Sequence, residues 1–464
     1  MRYEPISPQV FTANRARLNA LLQPNSLVVL NSNDVVPTNA DGTAFTIVNS
    51  DLFYLTGVEQ EQTILVLYPH ADEPEHRELL FLREPTAENE LWEGHKLSKA
   101  EARALTGIQN IHWLSEFPRL FHRLVCECSQ VYLNTNEHKR AVIEVENRDA
   151  RFIADMQRRY PLHSYQRLAP LLHELRAIKS EAEVALICQA CDLTEKGFRR
   201  VLEFTRPGVW EREVEAEFSH EFIRHGGRFA YLPIIGSGLN ACCLHYVTNA
   251  AQCRDGDLLL LDVGAAYANY NSDMTRTIPV NGRFSRRQRD VYDAVLRVLR
   301  QSIQGLRPGK LLKEWQKEAE EMTTRELVDL GLLSLRQIRT QAPDKPAFKK
   351  YLMHGVGHPI GLDVHDVGLT TKPIKAGWVM TVEPGIYLRD EGFAVRLEDN
   401  ILVTDQGPVN LMANIPLDPD EIEALMNGRS RKLAPGNGTG TRLRGRKPAP
   451  RARGLSRAPA LISA

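Results

Sequence analysis

The 464-residue chain is 43% hydrophobic and 25% charged, and no apolar run approaches the roughly 18 residues of a membrane span, which excludes a helical membrane protein. Its length allows two domains with full cores. The formal net charge of zero conceals an asymmetry. Ten of the 58 basic residues and no acidic residue follow Asn427, so residues 1–427 carry 48 basic against 58 acidic side chains, a net charge of −10.

The N-terminal segment, residues 1–22, has charged residues on both sides of short apolar pieces, so it is not predicted to be a signal peptide. Seven cysteines without a secretory signal are typical of reduced thiols. Cys188 and Cys191 form a C-x-x-C pair inside an apolar helical pattern, which favours core packing over a redox or zinc role. We therefore expect a cytoplasmic protein.

Residues 1–172 alternate short apolar runs with amphipathic stretches and are predicted to form an α/β domain. The predicted strands are 26–30, 63–68 and 79–82, and the predicted helices are 98–106 and 139–158. This region contains neither a nucleotide-binding glycine loop nor a concentrated set of ligand residues. We predict that it is a non-catalytic domain.

Residues 173–427 are predicted to form a second domain, an antiparallel sheet covered by helices. A capping box at Ser180 and Glu183 starts the first helix. Further helices are predicted at 209–225, 285–305 and 311–331. Five apolar, strand-like runs lie between and after them, in keeping with a mixed α/β (α+β) fold class.

Residues 428–464 are rich in Gly, Pro and Arg and lack apolar periodicity, so they are predicted to be a basic disordered tail. We expect no membrane binding. Nucleic-acid binding is not expected of the body of the protein, and only the tail has a suitable composition. A solvated extension without specific function is the favoured interpretation.

Five residues with metal-ligand chemistry lie at or near the ends of the apolar runs of the second domain. They are Asp262, Asp273, His358, Glu383 and Glu398. An unpaired carboxylate in a core is very unfavourable, so several of them together need basic partners or metal ions. We interpret the five as the ligand set of a two-metal hydrolase. An oxygen-rich set with one imidazole favours Mn²⁺ and tolerates Co²⁺, Fe²⁺ or Zn²⁺.

Strand register offers a test of this interpretation. If residues 258–264 and 271–279 form a hairpin that turns at Tyr267 and Ala268, Asp262 lies directly opposite Asp273, on the same side of the sheet. Similar reasoning brings Glu383 and Glu398 together, although Pro384 and Gly385 interrupt the first of those strands. Two ions about 3.5–4 Å apart would then share carboxylates and an activated water.

The pair His354-x-x-x-His358 does not fit the helical motif of single-zinc proteases. Gly355 and Gly357 lie between the two histidines, Pro359 follows, and no glutamate follows His354. Such glycines are more typical of a backbone that closely approaches a ligand.

The segments LHYVTN, LLLLDVGAAYANYNSDMTRTIPVNGRFS, MHGVGHPIGLDVHDVG, TVEPGIY and VRLEDNILVT resemble, in the same order, the motifs of the pita-bread metallopeptidases. That family includes aminopeptidase P, prolidase and methionine aminopeptidase. NSDLFYLTGVEQ in the first domain is similar to the non-catalytic domain of aminopeptidase P. The resemblance covers residues 1–427 and is strongest to aminopeptidase P.

The resemblance implies a role for each ligand. Asp273 and Glu398 would bridge the two metals. Asp262 would complete the coordination of one ion, and His358 and Glu383 would bind the other. Glu383 would also accept the proton of the attacking water.

The resemblance also implies residues around the ligands. His245 and His365 would contact the substrate and stabilise the oxyanion as catalytic residues. The implied substrate-binding residues are His354 at the proline pocket, Arg396 near the site and Trp92, which a neighbouring subunit would contribute. A homo-oligomer, dimer or tetramer, is therefore expected.

The implied activity is an Xaa-Pro aminopeptidase, a metalloexopeptidase in which a metal-bridging hydroxide attacks the bond before a proline in second position. Prolidase, which uses the same ligands on dipeptides, is the alternative. A non-catalytic pita-bread binding module is a more remote one, because all five ligands are present. The chain departs from the family in its basic tail and in the short loop between Glu383 and Glu398.

Overall fold

A six-stranded mixed sheet organises the N-terminal region of the computed structural model, which describes residues 2–44, 48–368 and 370–428. The strand order is β4-β3-β2-β1-β5-β6, in which β2 is antiparallel to β1 and β3 and the other pairs are parallel. The elements are α1 (Pro8–Asn19), β1 (Ser26–Asn31), α2 (Ser50–Thr56), β2 (Ile64–Leu67), β3 (Glu78–Leu82), α3 (Ala87–Glu93), α4 (Lys99–Thr106), β4 (Asn110–Trp113), α5 (Phe117–Glu127), β5 (Gln130–Leu133), α6 (Arg148–Arg159), β6 (Ser164–Arg167) and α7 (Ala169–Ala177).

The central strands of this sheet are buried on both faces. Val28 and Leu30 of β1 pack in one core cluster, whereas Leu27 and Val29 pack in another on the opposite face. Helices cover both faces, which is why these strands read as continuous apolar runs rather than as alternating patterns.

The C-terminal region consists of small antiparallel sheets enclosed by long helices. Its elements are α8 (Glu181–Phe204), α9 (Glu211–Arg224), β7 (Arg228–Phe229), β8 (Ile234–Ser237), β9 (Leu258–Asp262), β10 (Ala265–Tyr267), β11 (Tyr270–Asn271), β12 (Thr275–Pro279), α10 (Arg286–Gly305), α11 (Leu312–Asp329), α12 (Leu335–Thr340), β13 (Val379–Val382), β14 (Gly385–Leu388), β15 (Phe393–Arg396), β16 (Asp399–Thr404), β17 (Gly407–Asn410) and α13 (Pro419–Met426). Strands β8, β9 and β12 form one sheet, β7, β10 and β11 a second, β13, β16 and β17 a third, and β14 pairs with β15.

Local sequence patterns correctly predicted several helices of the C-terminal region. The predicted capping box is present, with Ser180 accepting a hydrogen bond from the Glu183 backbone at the start of α8. Helices α9, α10 and α11 each begin and end within two residues of the predicted bounds.

The predicted helix over 139–158 was wrong in its first half. Helix α6 begins only at Arg148, because Asn147 caps it by accepting a hydrogen bond from the Ala150 backbone. The apolar residues that suggested an earlier start, Val142 and Ile143, are about four-fifths exposed. They face solvent and do not form the buried side of a helix.

The two regions meet along α7 and pack as one unit that includes the residues up to 428. The domain boundary predicted at residue 172 falls inside α7, and Arg176 of that helix forms ion pairs with Asp363 and Asp366 of the C-terminal region. Apart from Gly428, the predicted tail lies outside the described residues. None of the described helices is long and apolar enough to cross a membrane.

Candidate metal centre

The first carboxylate hairpin has a different register from the predicted one. Asp262 of β9 pairs with Thr275 of β12, not with Asp273. The chain turns at Ala268 and Asn269, which both have positive φ (49° and 65°), one residue later than predicted. The pairing therefore shifts by two residues. Because side chains alternate along a strand, a shift of two keeps Asp262 and Asp273 on the same side, as diagonal neighbours.

A tyrosine joins these two aspartates. The Tyr231 hydroxyl lies 2.6 Å from Asp262 Oδ1 and 2.5 Å from Asp273 Oδ1, so it can donate to either. Sequence reasoning missed Tyr231, which precedes Asp262 by 31 residues and belongs to none of the recognised motifs.

The second carboxylate hairpin follows the predicted pairing. Val382 of β13 lies opposite Asp399 of β16, and Gly385 of β14 lies opposite Arg396 of β15. Both pairs share one register, which places Glu383 opposite Glu398 at the break between the two strand pairs. The interruption at Pro384 did not change the register.

Thr275 connects the two hairpins. It pairs with Asp262 on one side and forms an isolated bridge to Glu398 on the other, where the Glu398 backbone N–H donates to the Thr275 carbonyl (3.0 Å). Its hydroxyl donates to Glu398 Oε2 (2.7 Å). Asp262, Thr275, Glu398 and Glu383 thus form a row across four strands, with all side chains on one side.

His358 completes the cluster from a separate segment beside β13. Its Nε2 lies 3.5 Å from Asp273 Oδ2 and 3.8 Å from Glu383 Oε1. A ligand atom from each of Asp273, His358 and Glu398 lies within 4.8 Å of the other two. A side chain at Gly357 would collide with the Thr381 carbonyl oxygen, so glycine allows the close approach that places His358 there.

Three carboxylates of this cluster have no lysine or arginine of the described residues within ion-pair distance. Among the described residues, Asp273 and Glu383 have only histidines as ionic partners, Glu398 has none, and Glu398 Oε1 is buried without a hydrogen-bond partner. Burial, followed by the neighbouring carboxylates, raises the pKa of Asp273, of Glu383 and of Glu398 well above the usual range. Divalent cations would relieve this imbalance, so the donor set fits a metal centre.

Asp262 differs from the other four predicted ligands. It forms an ion pair with Arg396, whose Nη1 donates to the Tyr387 hydroxyl (2.8 Å) and whose Nε donates to Thr275 Oγ1 (3.1 Å). The structure therefore places Arg396 directly against a predicted ligand, which is closer than the sequence implied.

His354 lies on the other side of Glu383. Its Nδ1 is 3.8 Å from Glu383 Oε2, and its Nε2 is within 2.8 Å of the Tyr387 hydroxyl. Burial, and next the charge of Arg396, lower the pKa of His354 to about 4, so the ring is neutral at pH 7. Tyr387 lies within the recognised TVEPGIY segment, but no role was predicted for it from the sequence.

His365 packs its ring against that of His358, with centroids 4.3 Å apart. Partial burial, and next His358, lower its pKa to about 3. His245 is exposed, and it is the smallest of the influences that lower the pKa of His354 and of His365.

Trp92 makes no contact with this cluster within the described part of the chain. It lies on α3 and is 79% exposed, beside Leu91, which is 78% exposed.

The chain matches the model of metallopeptidase family M24 over residues 185–405 and that of the aminopeptidase P N-terminal domain over residues 11–132. It is 35% identical to the Xaa-Pro aminopeptidase of Escherichia coli over 437 residues, which cover 91% of this chain and 98% of that protein. The chain belongs to the aminopeptidase P family.

Solved structures agree with this assignment. The chain is similar to an E. coli aminopeptidase P variant in complex with substrate (TM-score 0.81, 34% identity, 92% of this chain and 99% of that one). It is equally similar to the zinc-substituted E. coli enzyme in complex with product (TM-score 0.81, 34% identity, 92% and 100%). The predicted fold class and the predicted enzyme class, a metallo-aminopeptidase that uses divalent metal ions, are confirmed.

Proposed function

We propose that this enzyme releases the N-terminal residue from peptides that carry proline in second position. The observation that carries the proposal is the cluster of Asp273, His358, Glu383 and Glu398, in which a buried glutamate oxygen has no partner. The relatives named Xaa-Pro aminopeptidase support the substrate class.

We propose a dinuclear centre held by Asp262, Asp273, His358, Glu383 and Glu398, with Mn²⁺ as the preferred ion and Co²⁺, Fe²⁺ or Zn²⁺ as substitutes. Asp273 and Glu398 would be the bridging ligands, as the family resemblance implies, and a carboxylate oxygen of each lies within 4.8 Å of one on the other. When bound, such ions lower the pKa of a water and polarise the substrate carbonyl.

The chain's own residues perform the proton transfers in this proposal. Glu383, between His358 and His354, accepts the proton of the attacking water and returns it to the departing proline nitrogen. His245 and His365 donate hydrogen bonds to the developing oxyanion. His354 and Tyr387, in edge-to-face contact at 5.4 Å, form a wall of the proline pocket.

We also propose a homo-oligomer in which Trp92 reaches a neighbouring subunit's pocket, because a tryptophan and a leucine side by side on α3 are unusually exposed. Light scattering and kinetics on Trp92→Ala test this, with Leu162→Ala, which removes another exposed apolar side chain, as the control. Unchanged mass and unchanged KM in Trp92→Ala would contradict it.

All seven cysteines are free, which supports a reducing, cytoplasmic location.

The experiment that tests the activity is an Xaa-Pro peptide series after chelation and re-addition of single metals. We expect cleavage of Arg-Pro-Pro between the first two residues, with the highest activity in Mn²⁺. Cleavage of the dipeptide Gly-Pro alone would identify a prolidase instead. Failure to cleave either peptide with any metal would refute the proposed activity.

A further inference from the structure

A cavity of about 510 Å³ lies beside the metal centre, between the N-terminal and C-terminal regions. The segment between β5 and α6 forms one wall with His138 and Arg140, and His365 belongs to the opposite wall. Its volume is in the range of sites that hold small ligands or short peptide segments. The proposed mechanism uses His365 but leaves the rest of this cavity without a role.

Two side-chain contacts lead from the metal cluster to the cavity. His358 packs against His365, and Arg140 Nη1 lies 3.5 Å from each of the two ring nitrogens of His365. Arg140 is thus one side chain removed from a predicted metal ligand. In the proposed mechanism the scissile bond lies at the cluster, so a peptide that extends past His365 reaches Arg140.

Arg140 is an uncompensated cation in this wall. Among the described residues, no carboxylate lies within 4.0 Å of its guanidinium, whereas many other arginines of the protein have acidic partners. Lys139, the neighbouring cation, donates to Thr370 Oγ1 (3.3 Å).

The acidic side chains that line the same cavity already have partners. Arg176 binds the carboxylates of Asp51 and Asp363, and Asn31 donates to Asp149 (3.0 Å). Arg140 is therefore available to an anionic group that enters with a ligand.

We propose that Arg140 binds a carboxylate of the peptide substrate and thereby selects among Xaa-Pro peptides. A guanidinium offers paired N–H donors that match the two oxygens of a carboxylate. The carboxylate is either the C-terminal group of a short peptide or an acidic side chain at the first or third position. The inference rests on the proposed function and names a determinant of substrate choice for it.

Three matched peptide pairs distinguish these sources. The first pair is Ala-Pro-Ala as free acid and as C-terminal amide. The second is Glu-Pro-Ala amide and Gln-Pro-Ala amide, and the third is Ala-Pro-Glu amide and Ala-Pro-Gln amide. For each pair, the ratio of kcat/KM for the charged over the neutral peptide is measured in the wild type, Arg140→Gln and Arg140→Lys.

We expect one pair to show a ratio of about tenfold in the wild type, as for a hydrogen bond to a charged group. Arg140→Gln should reduce that ratio to about one, while Arg140→Lys keeps part of it. Arg158→Gln, which removes an exposed cation of α6 that pairs with Asp155, should leave the ratio unchanged.

Two outcomes would overturn the inference. The wild type could show no preference in any pair, or Arg140→Gln could slow all six peptides equally, which would mean that Arg140 only positions His365. Failure of the wild type to cleave any of the six peptides would instead refute the proposed activity itself.

Discussion

Two clusters of carboxylates lie at opposite ends of the segment 358–366, and their charges are balanced in different ways. In one, Arg176 Nη2 lies 2.6 Å from both Asp363 and Asp366, Arg176 Nη1 lies 2.7 Å from Asp51, and Lys179 lies 2.9 Å from Asp366. In the other, Arg396 pairs with Asp262, and His358 is the basic residue nearest Asp273.

The difference appears in the pKa values. Although burial acts to raise it, Lys179 and Arg176 hold the pKa of Asp366 below its usual range. In the cluster around His358, burial and the like charge of Asp273 raise the pKa of Glu398 instead. The same fold therefore stabilises carboxylates with its own cations at one site and, among the described residues, lacks such cations around Asp273 and Glu398. This difference is the one expected between a structural cluster and the metal centre proposed above.

The strongest way to break this contrast is to remove a metal ligand. Asp273→Asn keeps the shape but removes a charge that two ions would share, so we expect kcat/KM to fall by roughly 10⁴-fold, about 5 kcal/mol of transition-state stabilisation. Metal content by mass spectrometry should fall with it. An Asp273→Asn variant that still binds two metal ions and has near wild-type activity would contradict the assignment of Asp273 as a metal ligand.

Changes in the cluster around Arg176 should alter the stability of the protein. Arg176→Met leaves Asp51, Asp363 and Asp366 without their shared partner, so we expect a loss of about 3–5 kcal/mol in the free energy of unfolding. Urea denaturation measures it. Arg151→Met, which breaks a largely exposed pair with Asp34, is the matched control and should cost less than about 1 kcal/mol. Equal losses would show that the buried cluster is no stronger than a surface pair.

The sequence predicted the elements of the site better than their register. Apolar runs located the strands, and the Glu383–Glu398 pairing followed from them. The predicted register at Asp262 was wrong because the turn places Ala268 at positive φ. Alanine rarely adopts this conformation, so the sequence did not indicate a turn at Ala268 and Asn269. The error was small in effect, since an even shift preserves the side on which each carboxylate lies.

Long-range partners were beyond prediction from the sequence. Arg176 and Asp363 are 187 residues apart, and Arg140 and His365 are 225 apart. No local pattern relates such positions. The contacts arise only when α7 and the segment before α6 pack against the C-terminal region.

Removal of metal tests, without any substitution, whether metal ions balance the charge of the carboxylates around His358. Ions that bind the folded state alone stabilise it by about 3–4 kcal/mol at 100 to 1,000 times their Kd. We therefore expect chelation to lower the Tm and abolish activity, and Mn²⁺ to restore both. Asp273→Asn should show a much smaller change in Tm. An unchanged Tm in the chelated wild type, with metal loss verified, would contradict a metal-compensated cluster.

The smallest effect concerns pH. Folding lowers the pKa of Asp366, so its ion pairs stabilise the protein fully above the unfolded pKa, about 3.9 for an aspartate. This contribution is lost as the pH falls through the lower pKa of the folded state. Asp366→Asn should cost roughly 2–3 kcal/mol at pH 7, and its difference from the wild type should shrink as the pH falls toward 3. Urea titrations at several pH values measure this difference. Asp155→Asn, in an exposed cluster with Arg158, is the control and should differ little from the wild type in free energy of unfolding at any pH. If the difference between Asp366→Asn and the wild type grew as the pH fell, the predicted pH dependence would be wrong.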